Sequence, residues 1–145
     1  MQEVKIKRLS AGAQLPRYGT EFSVGADLCA CLEAPVTLQP GETRMISIGI
    51  ASELPVGYAG LIFARSGLAS KRHLAPANKV GVVDPDYRGE WFVPLHNHGP
   101  LPQTVQHGER IAQLLLVPCL TAKFVEAEAL PDTQRGAGGF GSTGV

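Results

Sequence analysis

Apolar and polar residues alternate in this chain with a period of two, not the 3.6 of a helix. Val4-Lys5-Ile6-Lys7 shows the beat, and Thr43-Arg44-Met45-Ile46-Ser47-Ile48-Gly49-Ile50 repeats it. Tyr58 to Arg65, Glu90 to His96, Arg110 to Val117 and Thr121 to Ala127 are further runs of strand length. Turn formers separate them: Gly12, Pro16, Gly19, Pro40-Gly41, Pro55, Gly57, Gly99-Pro100, Pro102 and Gly108. Short strands punctuated at this spacing predict an all-β sandwich, jelly roll or barrel. The sequence predicts one helical piece, a short turn around Gly67 to Arg72. A doubly wound α/β fold would need strands alternating with long helical patterns, and there are none.

Charge narrows the partners. Thirteen acidic and thirteen basic residues balance, so no overall field recruits a nucleic-acid backbone or an anionic membrane. Positive charge for a bound phosphate must be local. No apolar run approaches the roughly 20 residues that span a bilayer, and the start of the chain does not read as a signal peptide. The expected address is the cytoplasm. The three cysteines, Cys29, Cys31 and Cys119, agree with a reducing compartment: an odd count does not make a disulfide framework, and they read as small core-filling thiols.

The composition shifts only near the end. Residues 1–131 read as one β domain, and residues 132–145 as a glycine-rich arm. That arm buries too little apolar area to offset its ordering entropy, yet it carries Arg135, Phe140, Ser142 and Thr143 among its glycines. Gly136-Ala137-Gly138-Gly139-Phe140-Gly141 matches G-x-G-x-x-G, but a dinucleotide site needs a strand before it and a helix after it. The remaining readings are a disordered tail or a lid whose glycine N–H groups approach phosphate closely.

Two interior clusters carry chemistry. Arg65-Ser66-Gly67 follows the apolar run Leu61-Ile62-Phe63-Ala64 and offers a guanidinium fork, a hydroxyl and an unobstructed N–H, either as an anion site or as a surface turn. Asn78 to Trp91 concentrates Asp84, Asp86, Tyr87 and Arg88 beside an apolar strand. Asp-Pro-Asp-Tyr-Arg-Gly reads first as a hairpin turn. A carboxylate there could also deprotonate water, and the tyrosine could wall a sugar or base. His96 and His98 read as a solvated strand end, with no third metal ligand near in sequence. Ala64-Arg65-Ser66-Gly67-Leu68 is not a nucleophile elbow, which discounts a serine triad with His73 and Asp84.

Taken in order, five segments resemble the motifs of the trimeric dUTPase family: Ala26-Asp27-Leu28, Arg65 to Ala69, Gly81 to Gly89, Gly108 to Gln113, and Arg135 to Gly144. The resemblance implies a jelly-roll-like β-barrel, a homotrimer with active sites shared between subunits, and hydrolysis of dUTP to dUMP and pyrophosphate with Mg²⁺. Such an activity limits uracil incorporation into DNA and supplies dUMP for thymidylate synthesis. It further implies that Asp84, rather than Asp86, positions the attacking water, with Arg65, Ser66 and Gln113 completing the catalytic set. Tyr87 matches the residue packed on the deoxyribose. Asn78 and Gly81 lie where the family reads uracil, and Arg65, Ser66, Gly67 and Gln113 match phosphate contacts. In the arm, Arg135, Gly141, Ser142 and Thr143 match the phosphate clamp, and Phe140 the cover over uracil. No direct metal ligand is implied; Asp27 would influence Mg²⁺ through water or through Arg65.

Two departures stand out: Ala64 where the family often has proline, and Pro85 between the two aspartates. A dCTP deaminase on the same fold is the nearest alternative. That group typically has a second serine after the arginine-serine pair and lacks this aromatic, glycine-rich tail, so Gly67 and Phe140 favour dUTPase. A catalytically dead binding module on this scaffold would have no need for the carboxylate of Asp84.

Overall fold

The computed structural model describes residues 2–139. Among them the alternation becomes twelve short strands: β1 (Lys5–Arg8), β2 (Arg17–Tyr18), β3 (Ala26–Cys29), β4 (Val36–Leu38), β5 (Thr43–Ser47), β6 (Ile50–Glu53), β7 (Tyr58–Phe63), β8 (Leu74–Pro76), β9 (Gly81–Val83), β10 (Phe92–Asn97), β11 (Gln103–Val105) and β12 (Arg110–Pro118). The single helix, α1 (Ser66–Arg72), lies where the sequence places it. It ends at His73, whose left-handed backbone (φ 55°) turns the chain into β8.

All strand pairs are antiparallel. The sheets are ordered β2-β3-β12-β7-β9, β5-β10-β8, β1-β6 and β11-β4, an all-β, jelly-roll-like architecture. Each contributes its inward face to one core: Leu28, Ile62 and Leu114 from the largest sheet, Ile46, Val93 and Leu95 from the next, and Leu38, Val105 and Ile50 from the pairs. Burying each such side chain contributes about 1.5–3 kcal/mol. Within the core, Asn97 is fully buried. Its amide donates to the carbonyls of Leu38 (3.1 Å) and Leu101 (2.8 Å) and accepts from the Gly99 N–H (2.9 Å), stapling the β10–β11 connection to the end of β4.

Two irregularities decide how the functional residues are presented. The run Thr43–Ile50 is broken at Gly49, which has φ 71° and would place a Cβ 2.7 Å from the Cys31 sulfur. The break sends β5 to pair with β10, while β6 pairs with β1. In β12 the pairing with β3 shifts between Arg110 and Ala112. Ile111 and Ala112 are consecutive yet both fully buried, the signature of a bulge. The bulge resets the alternation, so Arg110 and Gln113, three residues apart, face the same cavity.

Three expectations fail. Thr121–Ala127 forms no strand: β12 ends at Pro118, Cys119 N–H bonds to Gly57 O at 2.8 Å, and the segment beyond finds no strand edge of its own chain. Leu120, Phe124, Val125 and Leu130 project into solvent. The segment from Asp84 to Gly89 is not a hairpin turn, because β9 belongs to the five-stranded sheet and β10 to the three-stranded one; it crosses between layers. Cys119 is exposed and Cys29 is half-buried, and only Cys31, also half-buried, packs against the core, so the three are not core-filling thiols as a set. Burial first, and then the Asp27 carboxylate, push the Cys29 thiol above its ordinary value, which keeps it protonated and unreactive. Among the described residues no helix is long and apolar enough to cross a membrane.

Replacing Asn97 with Ala would remove the partner of the buried Leu38 carbonyl and of the part-buried Leu101 carbonyl and Gly99 N–H. The expected loss is about 2–4 kcal/mol, read as a lower urea midpoint at unchanged protein concentration.

Candidate active site

The site residues fall into two cavities with no lining residue in common. The first, of about 260 Å³, is walled by apolar side chains, among them Met45, Ile62, Val82, Trp91 and Phe92, and bears Asn78, Gly81, Asp84 and Tyr87. The second, of about 410 Å³, is polar and basic, lined by Asp27, Arg65, Ser66, Gly67, Arg110 and Gln113.

In the apolar cavity, Asp84 immediately follows β9 and is exposed. Its backbone carbonyl accepts from Tyr87 N–H at 3.2 Å, while its carboxylate has no hydrogen-bond partner among the described residues and is free for a ligand or water. The Tyr87 hydroxyl donates to the Glu90 carbonyl at 3.0 Å, and the ring lies across Gly89. A Cβ on Gly89 would stand 2.5 Å from the Tyr87 hydroxyl and 2.6 Å from ring carbon Cζ, so only glycine lets the ring occupy this place. Arg88 folds back on its own loop, donating to the carbonyls of Pro85 (2.6 Å) and Tyr87 (3.3 Å), and reaches Ser52 O of β6 at 3.4 Å. It braces the loop that carries Asp84 and Tyr87. Asp86 lies on that loop but does not line the cavity.

In the basic cavity, Asp27 is the hub. Its Oδ1 accepts from Arg65 Nε at 2.7 Å and its Oδ2 from Arg110 Nη1 at 3.1 Å. Each guanidinium is held by one nitrogen and keeps its remaining donors for a ligand. Gln113 is opposite Asp27 in the β12–β3 register and donates from Nε2 to the Ala64 carbonyl at 2.8 Å, fastening the turn that leads into Arg65. A Cβ on Gly25 would collide with the Gln113 amide oxygen. Ser66 and Gly67 open α1, where backbone N–H groups have no intrahelical partner, and Gly67 has open space around it. Arg72, at the other end of α1, bonds Gln103 Oε1 (3.0 Å), Thr104 O (2.6 Å) and Glu109 Oε1. That ties the Ser66–Gly67 segment to the turn before Arg110.

Residues 132–137 of the arm are exposed, and Arg135 Nε donates to Gly138 O at 2.9 Å, within the arm itself. Phe140, Gly141, Ser142 and Thr143 lie outside the described residues. His96 and His98 stack edge to face with ring centroids 4.3 Å apart, and His96 bonds Thr43 Oγ1 at 2.8 Å, away from both cavities. Sequence reasoning assigned no role to Arg110, Gly25, Gly89 or Trp91. Arg110 stood inside the fourth motif, but its facing depends on the bulge. The two glycines matter only through side chains they admit, which no local pattern announces.

The sequence matches the family model described as dUTPase over residues 11–144. The chain belongs to the dUTPase family. Among its relatives are the deoxyuridine 5'-triphosphate nucleotidohydrolases of two Desulfitobacterium hafniense strains, DSM 10664 / DCB-2 and Y51. Each is 47% identical over 150 residues, covering 100% of this chain and 99% of the relative. Staphylococcus bacteriophage 80alpha dUTPase with dUPNHPP is a structural neighbour at TM-score 0.90 and 28% identity, covering 100% of both chains. A point mutant of the same phage enzyme with dUpNHpp superposes equally well.

If the Gly25 notch exists to seat Gln113, Gly25→Ala should lower kcat/KM on dUTP by about 10–100-fold through displacement of that side chain. Gln113→Ala should show a similar defect, and the double variant little more than either alone; steady-state kinetics of the three variants would check this.

Proposed function

We propose that the two cavities are two parts of one active site, completed between subunits of a homotrimer. Hydrolysis of dUTP to dUMP and pyrophosphate is the activity of this dUTP diphosphatase. What carries the proposed division of labour is that a free carboxylate occupies one cavity and the phosphate donors occupy the other. Val83 lies opposite Gly60 of β7, which puts Asp84 beside the Ala59 end of that strand. Arg65 follows the opposite end, about six residues or about 20 Å further along. One chain therefore separates its base from its phosphate site, and a neighbour's cavity would bring them together. The uncovered apolar side chains of Leu120, Phe124, Val125 and Leu130 fit a strap laid over a second copy, since such a contiguous apolar stretch is uncommon on a free surface.

In this reading uracil and deoxyribose enter the apolar cavity. Asn78 and the backbone at Gly81 face the base, and Tyr87 packs on the sugar, closing the space a 2′-hydroxyl would take. The triphosphate extends into a neighbour's basic cavity, where Arg65, Ser66, Gly67 and Gln113 hold it. Asp84 accepts a proton from a water molecule, whose oxygen attacks the α-phosphorus. The bond from that phosphorus to the bridging oxygen breaks, and pyrophosphate leaves while the guanidiniums stabilise the developing charge. Residues 132–145 form the arm, with Arg135, Gly141, Ser142 and Thr143 clamping the phosphates and Phe140 covering the base.

Mg²⁺ is the proposed metal, carried on the phosphates, where it would neutralise charge during transfer. Asp27 fits an indirect role: both its oxygens already accept from guanidiniums, so it would meet the ion through water. Three unpaired cysteines suit a reducing compartment, and we place the enzyme in the cytoplasm.

Asp84→Asn should lower kcat by about 10²–10⁴-fold with little change in dUTP binding. Mixing it with Arg65→Ala protein under subunit exchange should restore part of the activity, because hybrid trimers contain sites with both residues intact. Verified hybrids without recovery would contradict the shared site, and near-normal turnover of Asp84→Asn would contradict the base.

Gly89→Ala should push the Tyr87 ring from its seat and raise UTP turnover relative to dUTP, as should Tyr87→Ala. Competitive assays with both nucleotides read this ratio directly.

A further inference from the structure

A third cavity, of about 360 Å³, adjoins the basic one and shares Gly19, Asp27 and Arg110 with it. No step described so far uses it. Its own contributions include Arg17, Tyr18, Gln14 and Gly108. Arg17 sits on the edge strand β2 directly opposite Asp27, and Asp27 in turn lies opposite Gln113. Residues facing each other across antiparallel strands point to the same side of the sheet. Arg17, Asp27 and Gln113 thus form one row, and Arg17 is its outermost member.

The charges in this row do not cancel. Asp27 is the sole carboxylate lining the two cavities and is already shared by Arg65 and Arg110. Arg17 is exposed and makes no ion pair among the described residues. Three guanidiniums around one carboxylate leave a local excess of positive charge in a chain whose formal net charge is zero. Arg110 borders both cavities and keeps donors free beyond the one spent on Asp27.

We propose that this third cavity is a pyrophosphate subsite, in which Arg17 and Arg110 hold the terminal phosphates of dUTP and then the departing pyrophosphate. The proposal rests on the reading of the neighbouring basic cavity as the place where the phosphates of dUTP lie. Arg17 would discriminate by phosphate number: it contacts the triphosphate tail and the leaving group but nothing of dUMP. Its guanidinium forms charge-assisted bonds with phosphate oxygens in the open, where such a contact is worth a modest factor rather than orders of magnitude.

The test is isothermal titration of pyrophosphate, and separately of dUMP, into wild-type protein and the variants Arg17→Ala, Arg17→Lys and Lys5→Ala. Wild type should bind pyrophosphate, and Arg17→Ala should bind it about 3–10-fold more weakly, with dUMP affinity and thermal midpoint unchanged. Arg17→Lys should keep part of the affinity. Lys5→Ala removes one exposed positive charge elsewhere and should have no effect. In turnover, Arg17→Ala should raise KM for dUTP and weaken product inhibition by pyrophosphate to the same degree. Undiminished pyrophosphate binding in Arg17→Ala overturns the subsite, as does an equal loss in Lys5→Ala or no binding to wild type. Failure of the wild type to hydrolyse dUTP would strike the assigned activity instead, and it is read in a separate assay.

Discussion

One carboxylate between two guanidiniums organises the basic cavity of this molecule. Asp27 accepts Arg65 through one oxygen and Arg110 through the other, joining β3, the end of β7 and the start of β12. Asp27 and Arg65 are partly buried, with Asp27 at 18% side-chain exposure, while Arg110 is exposed. Attraction in such a setting is stronger than at a free surface but is opposed by desolvation of each charge. Its value is therefore positional. Without Asp27, two guanidiniums would face each other uncompensated, and neither would be aimed. With it, both point their spare donors into a common space that a triphosphate can enter.

The aim of these side chains depends in turn on backbone details that carry no charge. The β12 bulge puts Arg110 and Gln113 on one side of the sheet. Gly25 leaves room for the Gln113 amide, Gly89 for the Tyr87 ring, and Gly81 for the close approach of Ile62, whose Cβ would lie 3.2 Å from an added methyl. In each case a missing side chain on one strand or loop is the condition for a functional side chain on another. The same logic explains the layering: Asp84 to Gly89 crosses from one sheet to another, so its residues line an opening at the edge of the core rather than the tip of a hairpin.

Much of the architecture was legible in one dimension. The period-two pattern identified β7, β10 and β12 because each has one buried face, and the helix at Ser66–Arg72 stood out against it. Thr121–Ala127 misled because alternation reports a capacity to pair, whereas a strand exists only where a partner edge is available. Cys29 and Cys119 misled, while Cys31 does pack against the core, because burial tendencies of a residue type say nothing about a particular position. Candidate site residues were legible where residue type suggests chemistry, as with Arg65, Asp84 and Tyr87, each of which lines a cavity, and where five motifs in order left the dUTPase family as the resemblance.

The sequence alone determined the class of fold, the family and the candidate site residues, because side-chain chemistry and hydrophobic period are local properties of the chain. Only the tertiary structure decided which of those groups face one another. It set Arg17, Asp27 and Gln113 in a row, turned Arg110 toward the same space, and put Asp84 in a separate cavity from Arg65. Such relations depend on strand register, a bulge and the contacts of glycines with residues distant in sequence, and these arise only when the sheets close on one core.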